Sequence, residues 1–310
     1  MQDKKLIKKR DKKKISEERE EKSYAYEFIS KHSKILIAIT LSLFLLAIVI
    51  LSYAQITEGS IIRKGITLRG GSEIFISEKI NLEALLSEMK TTFKEVRSSE
   101  VSQFGRFIGY AIETSERDSD KIKKFLINFG IPEEKITIRT TSPELSESFF
   151  REIFRLLLIA YVVMFLIIFL RFRNIFVGFT LLLANISNIV LTLSVLYLID
   201  FRLSLAGVAA LLMLIGYSID TNILLVTRMI KEKGDEGERF NSALKTGLMM
   251  SITTLISVLI AFFLTNSSVI KEIMFILFIG LLFDMMNTWI QNASLIILYL
   301  KKERAKKLKV

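Results

Sequence analysis

Cysteine is missing altogether from this 310-residue chain, which excludes a disulfide framework, a thiolate metal site and a cysteine nucleophile. The single histidine, His32, cannot build a metal site alone and stands beside the first apolar run, as an interfacial residue does. Proline is almost absent, with two in the chain. What fills the sequence is apolar: 51% of residues are hydrophobic and the mean hydropathy is +0.43, too high for a soluble domain of this length. Runs long enough to cross a bilayer, about 20 residues each, occur near 35–54, 153–170, 174–199, 203–227, 247–264 and 272–300. The chain reads as an integral membrane protein. Its first span follows a charged 34-residue tail, exceeds the length of a signal-peptide core and precedes no small-residue cleavage site.

Lysine and arginine orient the spans. Twelve fall in residues 1–34, five in 228–246 and six in 301–310, while Arg171 and Arg173 share a tight loop. The opposite short loops hold Arg202 and Lys271 alone. Both termini are expected in the cytoplasm and residues 55–150 outside it. The net charge of +11 is then chiefly a topology signal, not a mark of specific nucleic-acid binding. The tail 1–34 reads as a disordered topology anchor, with contact to anionic lipid or ribosomal RNA as the alternative.

The exported segment is long enough for a core of its own. Residues 61–76 read as a strand with a Gly-Gly break, 81–96 as an Asn-capped helix, and 99–104 and 106–114 as strands meeting at Gly105. A second capped helix covers 118–130 and a last alternating strand 135–141. The order β-α-β-β-α-β is that of a ferredoxin-like split βαβ fold. Fourteen basic and fifteen acidic residues balance over 55–150, and the segment holds no phosphate loop, metal cluster or nucleophile–base pair. No enzyme activity, metal or cofactor is expected. The fold class is a bundle of six transmembrane helices with one exported α+β domain between helices 1 and 2. The divisions are a basic tail (1–34), the first span (35–54), the exported domain (55–150), spans two to six (151–300) and a second basic tail (301–310).

Inside the spans lie groups that hydrocarbon does not favour. Span four carries Tyr217, Asp220 and Thr221 at helical spacing, with Asn222 beside them and Arg228 at its cytoplasmic end. An ionised carboxylate at this depth costs about 2.5–3.5 kcal/mol on insertion scales. Span six carries Asp284, Asn287, Thr288, Gln291 and Asn292 on one face, span three Asn185, Ser187 and Asn188, and span five Ser251, Thr253, Thr254 and Ser257. These faces are expected to converge on one polar seam, open on one side to a second bundle. Asp220, Asp284, Asn222 and Thr221 are the candidates to relay a proton or hold a cation, with Asp220 first. Asn188, Thr254, Asn287, Thr288 and Asn292 are expected to be interhelical hydrogen-bonding groups. Gly207, Gly216 and Gly280 read as sites of close helix approach.

Three motifs carry a resemblance. G-I-T-L-R-G-G (65–71), I-G-Y-S-I-D-T-N-I-L-L-V-T-R (215–228) and D-M-M-N-T-W-I-Q-N-A (284–293), with six spans and one external domain, resemble the SecD/SecF family of protein-export membrane proteins in its archaeal SecF form. The matching motif positions are Gly65, Gly70, Gly71, Gly216, Tyr217 and Arg228. Two departures stand out: Thr67 replaces an acid of the Gly-Gly motif, and Asn222 replaces a second acid in span four. The family belongs to the resistance–nodulation–division superfamily, whose members couple proton flow to movement of an outer domain. The resemblance implies an accessory subunit of the Sec translocase, partnered by a SecD-like subunit, the protein-conducting channel, unfolded exported polypeptide and membrane lipids. Two other readings stay open, a small transporter half-unit on the same fold and a scaffold without ion coupling.

Overall fold

The computed structural model describes residues 2–307 apart from 64, 104, 105, 142 and 266, and side chains outside 1–23, 66–67, 99, 102–106, 142–147, 149–150, 153–154 and 307–310. The expected junction at Gly105, the Thr67 side chain and the side chains of residues 1–23 in the basic tail lie outside the described residues. Helix α1 (Gln2–Glu58) runs unbroken from the tail through the first apolar run. The tail therefore extends a helix where a disordered anchor is expected. Its Lys, Arg and Glu are good helix formers, and a helix elongates more easily than it nucleates.

The sheet domain follows. A short helix α2 (Ile66–Arg69) precedes β1 (Gly71–Ile76), α3 (Leu82–Thr92), β2 (Arg97–Gln103), β3 (Arg106–Thr114), α4 (Ser119–Asn128) and β4 (Ile136–Thr141). The strands form one antiparallel sheet in the order β2-β3-β1-β4. The strand expected over 61–76 is confined to its second half. Gly70 and Gly71 have φ of 80° and 141°, which a side-chain-bearing residue rarely adopts, and this break lets the preceding residues coil into α2. Caps start both long helices: Asn81 accepts from the Ala84 amide, and Asp118 from those of Asp120 and Lys121. One sheet face, with Ile74, Ile76 and Ile112, packs on Leu85 and Met89 of α3 and on Ile122 and Leu126 of α4, all fully buried.

The remaining helices are α5 (Pro143–Phe172), α6 (Ile175–Leu198), α7 (Leu205–Lys231), α8 (Glu236–Leu264), α9 (Ser268–Met286) and α10 (Ala293–Lys307). Among the described residues, five helices are long and apolar enough to cross a membrane: Tyr24–Glu58, Arg155–Phe172, Ile175–Leu198, Leu205–Lys231 and Glu236–Leu264. The sixth apolar run is not a single α-helix. A π-helical segment, Asn287–Asn292, divides it into α9 and α10. The bundle buries two apolar cores. One lies at the sheet-domain end and includes Leu203, Leu211, Leu214, Ile276 and Leu277. The other lies at the opposite end and includes Leu225, Met229, Phe240, Trp289 and Ile296. Gly280 lets α9 close onto Leu214, and Gly247 seats the Trp289 ring. At Gly207, a Cβ would come within 2.6 Å of the Glu272 carboxylate. Gly216 has nothing within 4 Å of that position, so it is not a packing contact within this chain.

The linker motif ties the sheet domain to the bundle. Gly65 N–H donates to the Leu203 carbonyl and Leu203 N–H to the Arg63 carbonyl, both at 2.8 Å, while Leu68 is buried in the adjacent apolar core. Around this bridge Arg63 pairs with Glu58 at 2.6 Å and with Asp200, and Arg97 of β2 reaches Asp200 at 3.3 Å. Burial pushes the Asp200 carboxyl up, but the Arg63 and Arg97 guanidiniums outweigh it and hold it below the usual carboxylate range. Burial raises the Glu113 carboxyl of β3, with Arg202 opposing.

Two expected outcomes follow from this packing. Residues 57–147, expressed alone, should unfold cooperatively as an α+β domain by circular dichroism, and Leu85→Ala should cost about 2–5 kcal/mol in urea; a non-cooperative transition would refute a self-contained core. In the full chain, Asp200 has φ of 57°, which Asn tolerates, so Asp200→Asn removes charge alone. Spin-label distances between Glu134 and Leu198 should broaden in that variant and at high salt. Because the native carboxyl is depressed, its contribution is present above the ordinary value and is lost as pH falls below about 4. Broadening at pH 6 would contradict the assignment.

Candidate functional site

Between the two apolar cores lies a polar layer. Helix α7 contributes Ser218, Thr221 and Asn222, helix α6 contributes Asn185, Ser187 and Asn188, and α9 with the π segment contributes Asp284, Asn287, Thr288, Gln291 and Asn292. All are buried. The helical repeat of 3.6 puts the α7 trio on one face, and Leu225 continues that face into the core. At the π segment the wider turn brings five of six residues inward, Trp289 among them.

Asp284, 1% exposed, is the carboxylate of this layer. The Thr221 hydroxyl donates to its Oδ2 at 3.0 Å, and the Thr288 hydroxyl lies 3.5 Å from Oδ1. Hydroxyl donors of this kind satisfy a carboxylate that hydrocarbon alone would not accept. A second link crosses the helices one turn on, where Asn292 Nδ2 donates to Asn222 Oδ1 at 2.6 Å and Asn222 Nδ2 donates to the Ser218 carbonyl at 2.7 Å. Ser187 reaches Asn287 Oδ1 at 3.5 Å, and Asn185 donates to the Ile215 carbonyl at 3.3 Å while accepting from Tyr161.

Asp220 is elsewhere. It is exposed on the outer face of α7, one residue away from buried Thr221, in a shallow recess lined by Met213, Gly216, Tyr217 and Ile219. One helical residue is 100° of rotation, enough to separate the two acids between inside and outside. The expectation of a single seam containing Asp220 and Asp284, open on one side, is corrected: the seam is closed within this chain and Asp220 stands apart from it. Thr254 is also corrected. It is half-buried and donates to its own Met250 carbonyl at 2.9 Å, and exposed Thr253 and Ser257 likewise bond back along α8. Back-bonding of this kind satisfies a hydroxyl in lipid without a neighbouring helix. Arg228 pairs with Glu232 at 2.6 Å at the end of α7. Gly65 and Gly70 belong to the linker, and Gly71 opens β1. Tyr161 is a partner the sequence reading missed, because a lone tyrosine in an apolar run carries no spacing signal. The Asn287–Asn292 π turn is a second miss, since its residues fit an α-helical face equally well.

Comparison with known proteins gives this geometry a context. The family model for the SecD/SecF protein-export membrane protein, C-terminal region, matches residues 121–303. Protein-export membrane protein SecF of Methanolacinia petrolearia is 30% identical over 282 residues, covering 90% of this chain and 98% of that protein. The SecF of Methanocaldococcus jannaschii is 32% identical over 287 residues, covering 90% of this chain and 99% of that one. Among solved structures, SecDF of Thermus thermophilus, described as a translocon-associated membrane protein, superposes with a TM-score of 0.69 at 20% identity. That match covers 88% of this chain and 38% of the SecDF chain. SecDF in its super-membrane-facing form gives a TM-score of 0.60 at 19% identity, over 91% of this chain and 40% of that one. This chain therefore spans about two-fifths of the SecDF chains it resembles in fold. With the family model matched over more than half of its length and SecF relatives aligned along almost all of it, the chain belongs to the SecD/SecF family of protein-export membrane proteins.

Proposed function

We propose that the chain is the SecF-type accessory subunit of the Sec translocase, acting with a SecD-type partner and the protein-conducting channel to promote export of unfolded polypeptide across the cytoplasmic membrane. In this reading the helices form six spans, α9 through α10 being the last, with both termini cytoplasmic and the ferredoxin-like domain outside. The chain moves protein and catalyses no covalent reaction.

The observation that carries the partner assignment is the exposed face Met213–Gly216–Tyr217–Asp220 of α7. An acid on a lipid-facing surface in mid-span is costly, and a bare glycine beside it leaves room for a second helix to approach closely. A SecD-type bundle seated there would cover Asp220 and bring it opposite its own polar groups. Asp220 is then the carrier at the subunit interface, and Asp284, with Thr221 and Asn222 beside it, is the internal carboxylate of the same proton or cation relay. The scaffold reading draws on the hydrogen bond of Thr221 to Asp284, which holds α7 and α9 together whether or not a proton moves.

The absence of native cysteine makes a direct test clean. Gly216→Cys should cross-link to single cysteines in the SecD-type partner in native membranes, while Glu134→Cys on the sheet domain should not; no cross-link from position 216 would sink the interface assignment. Asp220→Asn should leave insertion and partner association intact yet abolish the stimulation of export in cells, and Asp220→Glu should retain part of it. Asp284→Asn, which keeps one of the two oxygens that Thr221 and Thr288 face and turns the other into an amide nitrogen, should give a milder loss. Full export by Asp220→Asn under a normal proton gradient would hand the case to the scaffold reading.

A further inference from the structure

The polar layer contains more hydrogen-bonding groups than the protein satisfies. Neither amide atom of the Asn188 side chain has a hydrogen-bond partner among the described residues, and the same holds for both amide atoms of Gln291. Asn287 has an unpaired Nδ2 and Asn292 an unpaired Oδ1. All four side chains are fully buried. They are close together: Asn188 follows Ser187, whose hydroxyl reaches Asn287, and Asn287 and Gln291 stand one turn apart on the π segment. A buried amide left unpaired forfeits its full solvation, and six such atoms in one layer cannot be the resting state of a stable core.

We infer that this layer is a hydrated chamber, holding a small cluster of internal water molecules that bridge Asn188, Asn287, Gln291 and Asn292 and reach toward Asp284. The inventory selects the ligand. On these four side chains the unpaired atoms are three donors (Asn188 Nδ2, Asn287 Nδ2, Gln291 Nε2) and three acceptors (Asn188 Oδ1, Gln291 Oε1, Asn292 Oδ1), and Trp289 Nε1 of the same segment is a further unpaired donor. A bare cation would be repelled by the donors, and an anion by the acceptors and by the Asp284 carboxylate. Water donates and accepts, and a buried water typically makes about three hydrogen bonds. The layer is also closed. Leu211, Leu214, Leu277 and Leu281 seal it toward the sheet domain, and Leu225, Met229 and Ile296 seal it at the other end. The cluster is therefore occluded, exchanging with bulk water only when one apolar core opens.

The inference rests on the side-chain inventory and not on the export reading, so it is tested by hydration and not by export. The chain has four glutamines, so selective 15N-glutamine labelling in lipid nanodiscs gives a spectrum in which Gln291 is identified by its loss in Gln291→Met. The Gln291 side-chain amide of the wild type should show water cross-relaxation peaks, slow to respond when the bulk is switched to D2O. The same size-matched, apolar variant should lower the thermal midpoint, because it strands the waters anchored on Asn188 and Asn287. A dry layer predicts the reverse sign, since removing an unpaired amide from a dry core stabilises it. An unchanged or raised midpoint overturns the proposal, and so does a wild-type Gln291 amide that shows no water cross-peak.

Discussion

A carboxylate cannot be left in hydrocarbon without donors around it, and this constraint organises the bundle. Asp284 needs Thr221 from α7 and Thr288 from the adjoining π segment to lie within reach. That fixes the rotation of α7 relative to α9. Once α7 turns Ser218, Thr221 and Asn222 inward, Leu214 and Leu225 must point inward too, each into one of the apolar cores. Gly280 then becomes necessary where Leu214 meets α9. The rotation that satisfies Asp284 also sends Gly216, Tyr217 and Asp220 outward. One hydrogen-bonded acid thereby determines which side of α7 faces the interior of this chain and which faces outward.

This coupling explains what the sequence could and could not tell. Long apolar runs mark the membrane segments because hydrophobic length acts locally. The sheet domain was legible for the same reason: alternation in 106–114, the Asn81 and Asp118 caps and the leucine spacing of 81–92 each report on nearby backbone. The inward face of α7 is a relative property. Two faces, one with Asp220 and one with Thr221, are equally polar when the helix is read alone, and only the match to Asp284 decides between them. Thr254 shows the complementary limit. A threonine in a span satisfies itself on its own helix as readily as on a neighbour's, so its presence says little about where a seam runs.

The two ends of the bundle are built differently. Toward the sheet domain, backbone bonds between the 63–65 linker and Leu203 and a group of arginines and acids hold the elements together. Exposed ion pairs of this kind contribute about 0–1 kcal/mol each and weaken with salt, so the main-chain bridge sets the geometry and the charges trim it. Toward the other end, Tyr26 of α1 donates to Glu236 at the start of α8, Arg304 of α10 pairs with the same Glu236, and Lys301 donates to the Ser30 carbonyl. The first and last helices are thus fastened to each other and to α8 at one end, and the domain is fastened to the α6–α7 loop at the other.

The register of the sheet has an evolutionary consequence. Gly71, where the domain begins, pairs directly with Thr141, where it ends. Entry and exit are therefore neighbours across a single pair of central and edge strands, and the whole domain hangs on the bundle like a cassette plugged into two adjacent sockets. Apart from Arg97, which reaches Asp200 of the α6–α7 loop, its size, sequence and surface are free to drift, or to be exchanged for another module with adjacent ends, without moving α1 or α5. The helices, whose rotations are locked by a shared acid, have no such freedom. Divergence within this architecture should thus accumulate in the sheet domain first, while the helices stay the same.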